Sequence, residues 1–202
     1  NGTAYQFIAR LNANGSQDLT FTPGGVPNAN LRALALQGDG RILIGGYFDH
    51  YGLVARNRIA RLDIDGTLDQ TFDPGTGINF SGLVYDFEPL ADGRIMVAGN
   101  VSDYNGSSCN HILRLNANGS LDNTFAVSSM TGNTVYDVAM QPDGRILIAG
   151  NFSNINGTAR NCIARLNANG SLDNSFDPSA GPNSEPFVLG LQADGKVLAG
   201  GS

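Results

Sequence analysis

Short runs of apolar residues alternate with turn-forming glycines along the whole chain. Leu34 and Leu36 lie in one run and Ile42 and Ile44 in the next, on either side of residues 38–40, which read Gly-Asp-Gly. Asp-Gly between two apolar runs is typical of a tight hairpin, because glycine adopts a positive φ without strain. The pattern therefore predicts two antiparallel strands joined by a tight turn.

Two further short strands are predicted after this hairpin. Residues 58–63 alternate between apolar and polar types, as a half-exposed strand does. Asp65 and Gly66 predict another turn, and residues 68–72 form a predicted fourth strand. Residues 73–75, Asp-Pro-Gly, break the chain after it. One unit of the sequence therefore predicts a four-stranded antiparallel meander.

This unit occurs four times, at intervals of about 51 residues. One block, which runs from Ile-Ala-Arg-Leu or Ile-Leu-Arg-Leu to Gly-Ser or Gly-Thr, begins at Ile8, Ile59, Ile112 and Ile163. A second block, Asp-Gly followed by a basic residue and a β-prone run, keeps the same period. Two separate blocks with one period indicate a repeat architecture.

A sheet with two apolar faces needs a neighbouring sheet on each side, and this requirement favours one fold class. Radial packing of such sheets gives an all-β propeller, and the alternative is a linear β-solenoid, whose coils are usually shorter and have fewer tight hairpins. We predict the propeller, as a single domain over residues 1–202. The four predicted blades are residues 1–30 together with 186–202, 31–83, 84–134 and 135–185.

The two ends of the repeat pattern have complementary phases. The chain starts just before a third strand and stops just after a second strand. The two half-units are therefore expected to complete one sheet, an interlocked closure that removes the free edges of the ring. A four-bladed ring, a fragment of a larger ring and a pair of half-rings forming eight blades share this phase, and all three stay open.

The complete repeat resembles a known family. Its motifs are an apolar strand, Asp-Gly-Arg, Ile-Leu-Ile-Gly-Gly, Asn-Gly-Thr, Ile-Ala-Arg-Leu-Asn, Asn-Gly-Ser-Leu-Asp and a closing Phe. This order is similar to the bacterial delta-60 repeat of β-propeller proteins, and the Gly-Gly pair also resembles the kelch repeat. Where kelch closes with Trp, this chain has Phe21, Phe72, Phe125 and Phe176. The resemblance implies a large secreted or cell-surface protein with no generally assigned enzymatic activity.

Composition narrows the function classes further. The 202 residues have a formal net charge of −6, and 27 of them are glycine, most of which belong to the periodic turns. The acidic balance disfavours nucleic acid as a partner, because such surfaces need clustered Lys and Arg. No apolar run approaches the roughly 18 residues of a membrane span. The motifs of serine hydrolases, zinc proteases and phosphate loops are also missing, so nothing supports an enzyme.

The first strand of each unit is expected to lie nearest the ring axis and carries candidate ligand-binding carboxylates. Asp86 and Asp137 occupy equivalent positions, and Glu88 lies on the same strand face as Asp86. Such a cluster predicts a site for a cation or a polar ligand. The alternative is that each carboxylate pairs with an arginine or with water.

A second position on the first strands carries mainly aromatic residues. It is occupied by Arg32, Tyr85, Tyr136 and Phe187. Unit-specific loops come just before it, and variable loops on a repeating scaffold are where recognition is usually found. These loops are residues 22–30, 73–83, 126–134 and 177–186. The aromatic rings are expected either to stack on a sugar or peptide or to fill the channel.

One hairpin turn is a candidate calcium loop. Asp63, Asp65 and Asp69 form the pattern Asp-x-Asp-Gly-x-x-Asp, and calcium takes about six to eight oxygen ligands, several of them charged. The other units have Asn at the first two positions, which weakens any site there. The alternative is that the turns are ordinary hairpins and that the recurring Asp binds nearby backbone donors. No other cofactor is expected.

An arginine recurs once in each predicted third strand, as Arg10, Arg61, Arg114 and Arg165. Recurrence in every unit favours a structural role, such as a bidentate bond to an aspartate or to carbonyl groups. Residues that recognise a ligand usually differ between the units of a repeat.

The sequence therefore predicts a noncatalytic extracellular or cell-surface module for binding or scaffolding. Its expected partner is a protein or a carbohydrate at the loop face. The alternatives are a carbohydrate-binding lectin and a secreted polysaccharide-active enzyme that uses Asp86 or Glu88. A homodimer and a longer parent chain are both compatible with the phase of the repeats.

Overall fold

The computed structural model describes residues 7–202, and every regular element in that range is a β-strand. The strands are β1 (Leu31–Leu36), β2 (Ile42–Gly46), β3 (His50–Tyr51), β4 (Val54–Ala55), β5 (Ile59–Leu62), β6 (Leu83–Pro89), β7 (Ile95–Asn100), β8 (Asp103–Tyr104), β9 (Ser107–Ser108), β10 (Ile112–Leu115), β11 (Met130–Met140), β12 (Ile146–Ile155), β13 (Thr158–Ala159), β14 (Ile163–Leu166), β15 (Pro186–Leu191) and β16 (Val197–Gly201). The described residues contain no helix with the length and hydropathy needed to cross a membrane.

Three repeats form sheets of the same topology. We name them unit A (residues 31–72), unit B (83–125) and unit C (130–176). The second strand of each unit is central and pairs antiparallel with the first and third, in the orders β1-β2-β5, β6-β7-β10 and β11-β12-β14. On either side of them lie the N-terminal segment (residues 7–21) and the C-terminal hairpin, formed by β15 and β16.

The first hairpin of each unit has the predicted geometry. In unit A, Leu36 pairs with Ile42, and the amide of Gln37 donates to the carbonyl of Arg41 at 2.8 Å. Gly40 has a φ of 86°, which is the left-handed conformation that closes such a loop and that favours glycine. The equivalent glycines of the other hairpins have φ between 83° and 85°. The Asp-Gly pattern therefore predicts the turn conformation of these hairpins correctly.

The predicted fourth strand differs from the structure. In unit A it is reduced to one bridge between Leu62 and Leu68. Asp69 then accepts hydrogen bonds from the amide of Thr71 at 2.8 Å and from its hydroxyl at 2.6 Å. These local bonds turn the backbone, so residues 68–72 do not continue as an extended strand. Phe72 still closes the unit as a fully buried side chain.

Neighbouring units pack face to face along the chain. The core between units A and B includes Leu43 and Phe87, and the core between units B and C includes Met96 and Val138. Phe21 of the N-terminal segment belongs to a third core, together with residues of unit A. Packing on both faces satisfies the requirement from which the propeller was predicted.

The recurring arginines have the predicted structural role and also connect successive units. In unit A, Arg61 Nε donates to Asp69 Oδ2 at 2.7 Å, and its guanidinium carbon lies 4.9 Å from the centre of the Phe72 ring. Its Nη1 donates to the carbonyl of Ala117 in unit B, also at 2.7 Å. Arg114 makes the equivalent bond to the carbonyl of Ala168 in unit C.

A backbone bond accompanies each arginine bond between units. The amide of Asp73 donates to the carbonyl of Asn118 at 2.8 Å, and the amide of Ala126 donates to that of Asn169 at 3.0 Å. Thr22 and Asp65 form the same bond between the N-terminal segment and unit A. We call this set of one arginine bond, one backbone bond and one apolar core a unit junction.

The predicted interlocked sheet is not formed by the described residues. Within residues 7–202, β16 pairs with β15 along one edge, and no strand pairs with its other edge. The prediction combined residues 186–202 with residues 1–30, of which residues 1–6 lie outside the described range. The structure is a series of propeller-like units with two exposed ends.

Candidate functional site

Three aromatic side chains form a continuous row across the first strands of successive repeats, which we call the inner strands. Tyr85 of β6, Tyr136 of β11 and Phe187 of β15 come from three successive repeats. The ring centres of Tyr85 and Tyr136 are 5.3 Å apart at an interplanar angle of 73°, and those of Tyr136 and Phe187 are 5.0 Å apart at 75°. These are edge-to-face contacts, each of which contributes about 0.5–1.5 kcal/mol beyond burial. The row is half-open to solvent, and Phe187 is 45% exposed.

Glu185 anchors the middle ring of this row, and sequence reasoning did not identify it. Tyr136 Oη donates to Glu185 Oε2 at 3.1 Å, and the side-chain amide of Asn151 donates to the other oxygen of the same carboxylate. Burial, followed by this carboxylate, raises the pKa of Tyr136. Glu185 lies in a unit-specific loop without a recurring motif, so its sequence position carried no signal.

Arg32 does not extend the row. It occupies the equivalent position of β1, but its guanidinium carbon lies 5.6 Å from the centre of the Tyr47 ring, a cation–π contact. The structure therefore brings together three of the four residues predicted at this position. Arg32 belongs to a separate, exposed surface of unit A.

The candidate carboxylates on the inner strands bind backbone amides of the following unit. Asp86 Oδ2 accepts from the amide of Val138 at 3.1 Å, and Asp137 Oδ2 accepts from the amide of Leu189 at 2.6 Å. Each of these bonds joins one inner strand to the next. The sequence analysis expected either a ligand site or pairing with an arginine or water, and did not anticipate these bonds to backbone amides; ligand binding by the two carboxylates stays a prediction.

Asp86 is the most strongly perturbed of these acids. Burial is the main cause, and together with the nearby Asp137 it raises the pKa of Asp86 to about 7, against the lowering effect of the hydrogen bond from the Val138 amide.

Glu88 lies towards the other end of β6 from Tyr85. Its Oε1 accepts from the amide of Met140 at 3.4 Å, and burial raises its pKa. It lines an open groove of about 510 Å³ between units B and C, together with Arg94 and Gln141. The predicted ligand residues are thus divided between two ends of the inner strands.

Two of the predicted calcium ligands are held by their own turn. Asp65 Oδ1 accepts from the amide of Thr67 at 2.9 Å and from its hydroxyl at 2.7 Å, and these bonds lower the pKa of Asp65. Asp69 accepts in the same way from Thr71 and forms an ion pair with Arg61. These are the local backbone and side-chain bonds that the alternative interpretation expected.

The third predicted ligand, Asp63, has a different partner. Its Oδ1 lies 3.4 Å from Arg41 Nε in a half-exposed ion pair. Among residues 7–202, no group of three or more His, Cys, Asp or Glu side chains is placed to hold a metal ion. Asp63, Asp65 and Asp69 thus each have separate partners in this structure, and calcium binding by this turn stays a prediction.

Comparisons with known proteins agree with the fold. A family model described as a β-propeller domain of unknown function, DUF5122, matches residues 1–21, 37–72, 90–125 and 141–176, one segment in each repeat. No curated protein matches the chain.

One similar solved structure is a catalytically inactive virginiamycin B lyase from Staphylococcus aureus, determined with quinupristin. The two chains are 17% identical, with a TM-score of 0.53, and the alignment covers 87% of this chain. This chain spans about half of the lyase, 52% of its length. At this identity the likeness concerns the fold alone.

Proposed function

The chain belongs to this β-propeller family of unknown function, and we propose that it is a noncatalytic binding module whose contact surface is the aromatic row. The row carries the proposal, because Tyr85, Tyr136 and Phe187 form a continuous aromatic surface that is partly exposed to water. Aromatic side chains are enriched at interaction surfaces and supply much of their binding energy.

The geometry of the row favours a protein partner over a carbohydrate. Neighbouring rings meet at 73° and 75°, so they do not form a flat platform on which a sugar ring can stack. Apolar side chains of a peptide fit between such rings, and Glu185 beside Tyr136 offers an acceptor for a backbone amide. A lectin remains the second candidate, because the row also combines aromatic surface with a carboxylate.

The carboxylates give little support to a polysaccharide-active enzyme. Asp86 accepts from the amide of Val138 and Asp137 accepts from the amide of Leu189, both on the next inner strand. The two acids of a glycosidase instead face the sugar that lies between them. The arrangement of Asp86 and Asp137 fits a link between units better than a catalytic pair.

Two broader parts of the proposal rest on the repeat pattern. The resemblance of the repeat to delta-60 and kelch-like repeats suggests a location outside the cell or on its surface. The four repeats of about 51 residues act in this proposal as blades of a propeller, with the aromatic row on the loop face.

A selection from a random peptide phage library on the immobilised chain tests the proposal. We expect peptides rich in aromatic and aliphatic residues, and we expect Phe187→Ala to weaken their binding about tenfold. The control is Leu53→Ala, which changes a fully exposed residue at the tip of the β3–β4 hairpin.

Three results would contradict this function. Peptides that bind the Phe187→Ala chain as tightly as the unchanged one place the contact surface elsewhere. Hits on a glycan array that are lost in the same variant, without peptide hits, support the lectin instead. Hydrolysis of polysaccharides by the unchanged chain, if lost in Asp86→Asn, would instead support a polysaccharide-active enzyme.

A further inference from the structure

A cavity of about 150 Å³ lies beside the third strand of unit B. Its floor consists of apolar side chains that are at most 5% exposed, namely Ile112, Leu113, Phe125 and Val127. Its mouth consists of exposed polar residues, namely Ser107, Ser108 and Asn123. An apolar floor with a few polar groups at the opening is the usual constitution of a small-molecule site.

Cys109 lines this cavity at a position that carries arginine in the other two complete units. The equivalent residues are Arg56 in unit A and Arg160 in unit C. The side chain of Arg160 is only 8% exposed, so unit C buries its own arginine at this position. A cysteine side chain is much shorter than an arginine side chain, and the exchange therefore leaves space in unit B.

A second residue of the cavity loses its charge in the same unit. Ala126 directly follows the closing phenylalanine of unit B, where units A and C have Asp73 and Asp177. In unit C, Arg160 Nη1 lies 3.9 Å from Asp177 Oδ1. Unit B therefore lacks both the cation and the anion found at these positions in unit C. A neutral ligand fits this exchange, because a buried cation would lack the carboxylate that Asp177 supplies in unit C.

The thiol of Cys109 is a neutral part of the cavity wall. Its Sγ donates to the carbonyl of Val101 at 3.5 Å. Burial, followed by the charge of Asp103, raises the pKa of Cys109 to about 12. A buried free cysteine behaves as a small hydrophobic residue. The wall therefore offers apolar contact and no thiolate nucleophile.

The size and polarity of the cavity select the class of ligand. An apolar cavity of about 150 Å³ binds benzene, so the volume matches one aromatic ring. Phe125 in the floor offers such a ring an edge-to-face contact. The hydroxyl groups and the amide at the mouth can bind one polar substituent. A sugar is disfavoured, because its hydroxyl groups would lie unpaired against the apolar floor.

We propose that this cavity, which we call the Cys109 cavity, binds a neutral small molecule with one aromatic ring and one polar substituent, the chemical class of phenol. The ring lies against the floor, and the substituent points to the mouth. The site is separate from the aromatic row. All of its lining residues lie between Ser107 and Val127, so the ends of the chain take no part in it.

A titration of the isotope-labelled 202-residue chain with phenol, followed by protein NMR, tests the proposal. We expect saturable shifts of amide signals within residues 107–127, with a dissociation constant of about 1 mM for a ligand of this size. Ethylguanidinium, which has the charged group of an arginine side chain, is expected to bind about tenfold more weakly or not at all, because Ala126 replaces the aspartate.

Two reciprocal double variants locate the site. Cys109→Arg with Ala126→Asp gives unit B the residues of unit C, and is expected to fill the cavity and abolish the phenol shifts. Arg160→Cys with Asp177→Ala makes the opposite exchange, and is expected to add a second set of shifts in unit C. Cys162→Ala changes the other cysteine and is expected to bind phenol as the unchanged chain does.

Three outcomes overturn the proposal. The first is the absence of saturable shifts in the unchanged chain at about 10 mM phenol. The second is phenol binding that persists in the filled variant, which places the ligand elsewhere. The third is tighter binding of ethylguanidinium than of phenol, which would make the cavity a cation site. The two double variants act independently, so whichever of them is folded by circular dichroism decides the location.

Discussion

The third strand of each unit, on the outside, and the first strand, on the inside, differ in how closely their sequence is repeated from unit to unit. On the outside, Arg61 binds Asp69 and Arg114 binds Asp122, both at 2.7 Å, and the same pair recurs in every repeat. On the inside, one position carries Ala33, Asp86, Asp137 and Val188 in turn. The outer pair keeps its chemistry through the chain, and the inner position varies among Ala, Asp and Val.

The number of partners explains the difference. Each outer arginine is committed to an aspartate, a carbonyl of the next unit and a phenylalanine ring, so no other side chain can replace it. The side chain of an inner residue makes at most one such bond, from Asp86 or Asp137 to an amide of the next unit, and Ala33 and Val188 have no polar side-chain atom to make it. The inner position can therefore vary more in sequence than the outer arginine.

The largest loss of stability is expected when the arginine of an outer ion pair is removed. Arg114→Ala removes the closer of the two arginine partners of buried Asp122 and leaves Arg94 at 3.1 Å, so we expect it to cost about 1.5–3 kcal/mol of the free energy of unfolding. Urea denaturation measures it, and Arg10→Ala is the control, since the Arg10 side chain is 34% exposed and its loss should cost clearly less. Equal losses in the two variants would mean that burial does not decide the strength of this pair.

An intermediate effect, dependent on pH, is expected on the inner strands. The folded pKa of Asp86 is raised to about 7, so the folded chain binds more protons than the unfolded one between about pH 4 and 7. The free energy of unfolding should fall as the pH rises through this window, by at most about 1.4 kcal/mol per unit.

The variant Asp86→Asn separates this contribution from the others. The amide is neutral at every pH, and its oxygen still accepts from the Val138 amide. The fall in the free energy of unfolding between pH 4 and 7, measured by urea denaturation, should become shallower. Part of the fall should remain, because the pKa of Glu88 is also raised. The loss of stability below pH 4 should persist, because it comes from outer acids such as Asp69 with lowered pKa values. An unchanged slope would show that Asp86 is not the group responsible.

The smallest effect is expected from one outer turn. Asn169 Oδ1 accepts from the amide and hydroxyl of Ser171, at 3.0 and 2.7 Å, and Asn169→Ala removes both bonds. The backbone bond from Ala126 to the carbonyl of residue 169 is kept. The expected cost is about 0.5–1.5 kcal/mol in urea denaturation. A loss as large as that of Arg114→Ala would show that the side chain of this turn holds the junction as firmly as the buried ion pair.

The sequence was sufficient for features that depend on local backbone chemistry. The period, the Asp-Gly hairpins and the role of the arginines follow from residue types that few other conformations accommodate. The fourth strand was predicted wrongly, because the side chain of Asp69 competes with sheet bonding over residues 68–72, and a pattern of apolar residues does not register that competition.

Features that depend on tertiary contacts could not be predicted from residue types. The residue before each third strand has a φ between 62° and 67°, although it is Phe7, Arg58, His111 or Cys162 and never glycine. The surrounding units impose this conformation, so the positive φ cannot be predicted from the type of residue at the position. Arg32 likewise shares a repeat position with three aromatic residues and yet turns to Tyr47, because that ring is within its reach.

The arginine bonds between units all have the same direction, since Arg10, Arg61 and Arg114 each donate to a carbonyl of the unit that follows. A segment of about 51 residues carries one donor set and one acceptor set. Duplication or deletion of such a segment in the gene joins the same donor to the same acceptor and creates no new contact. The number of units is therefore open to change by recombination, while the aromatic and acidic side chains of the inner strands diversify one unit at a time.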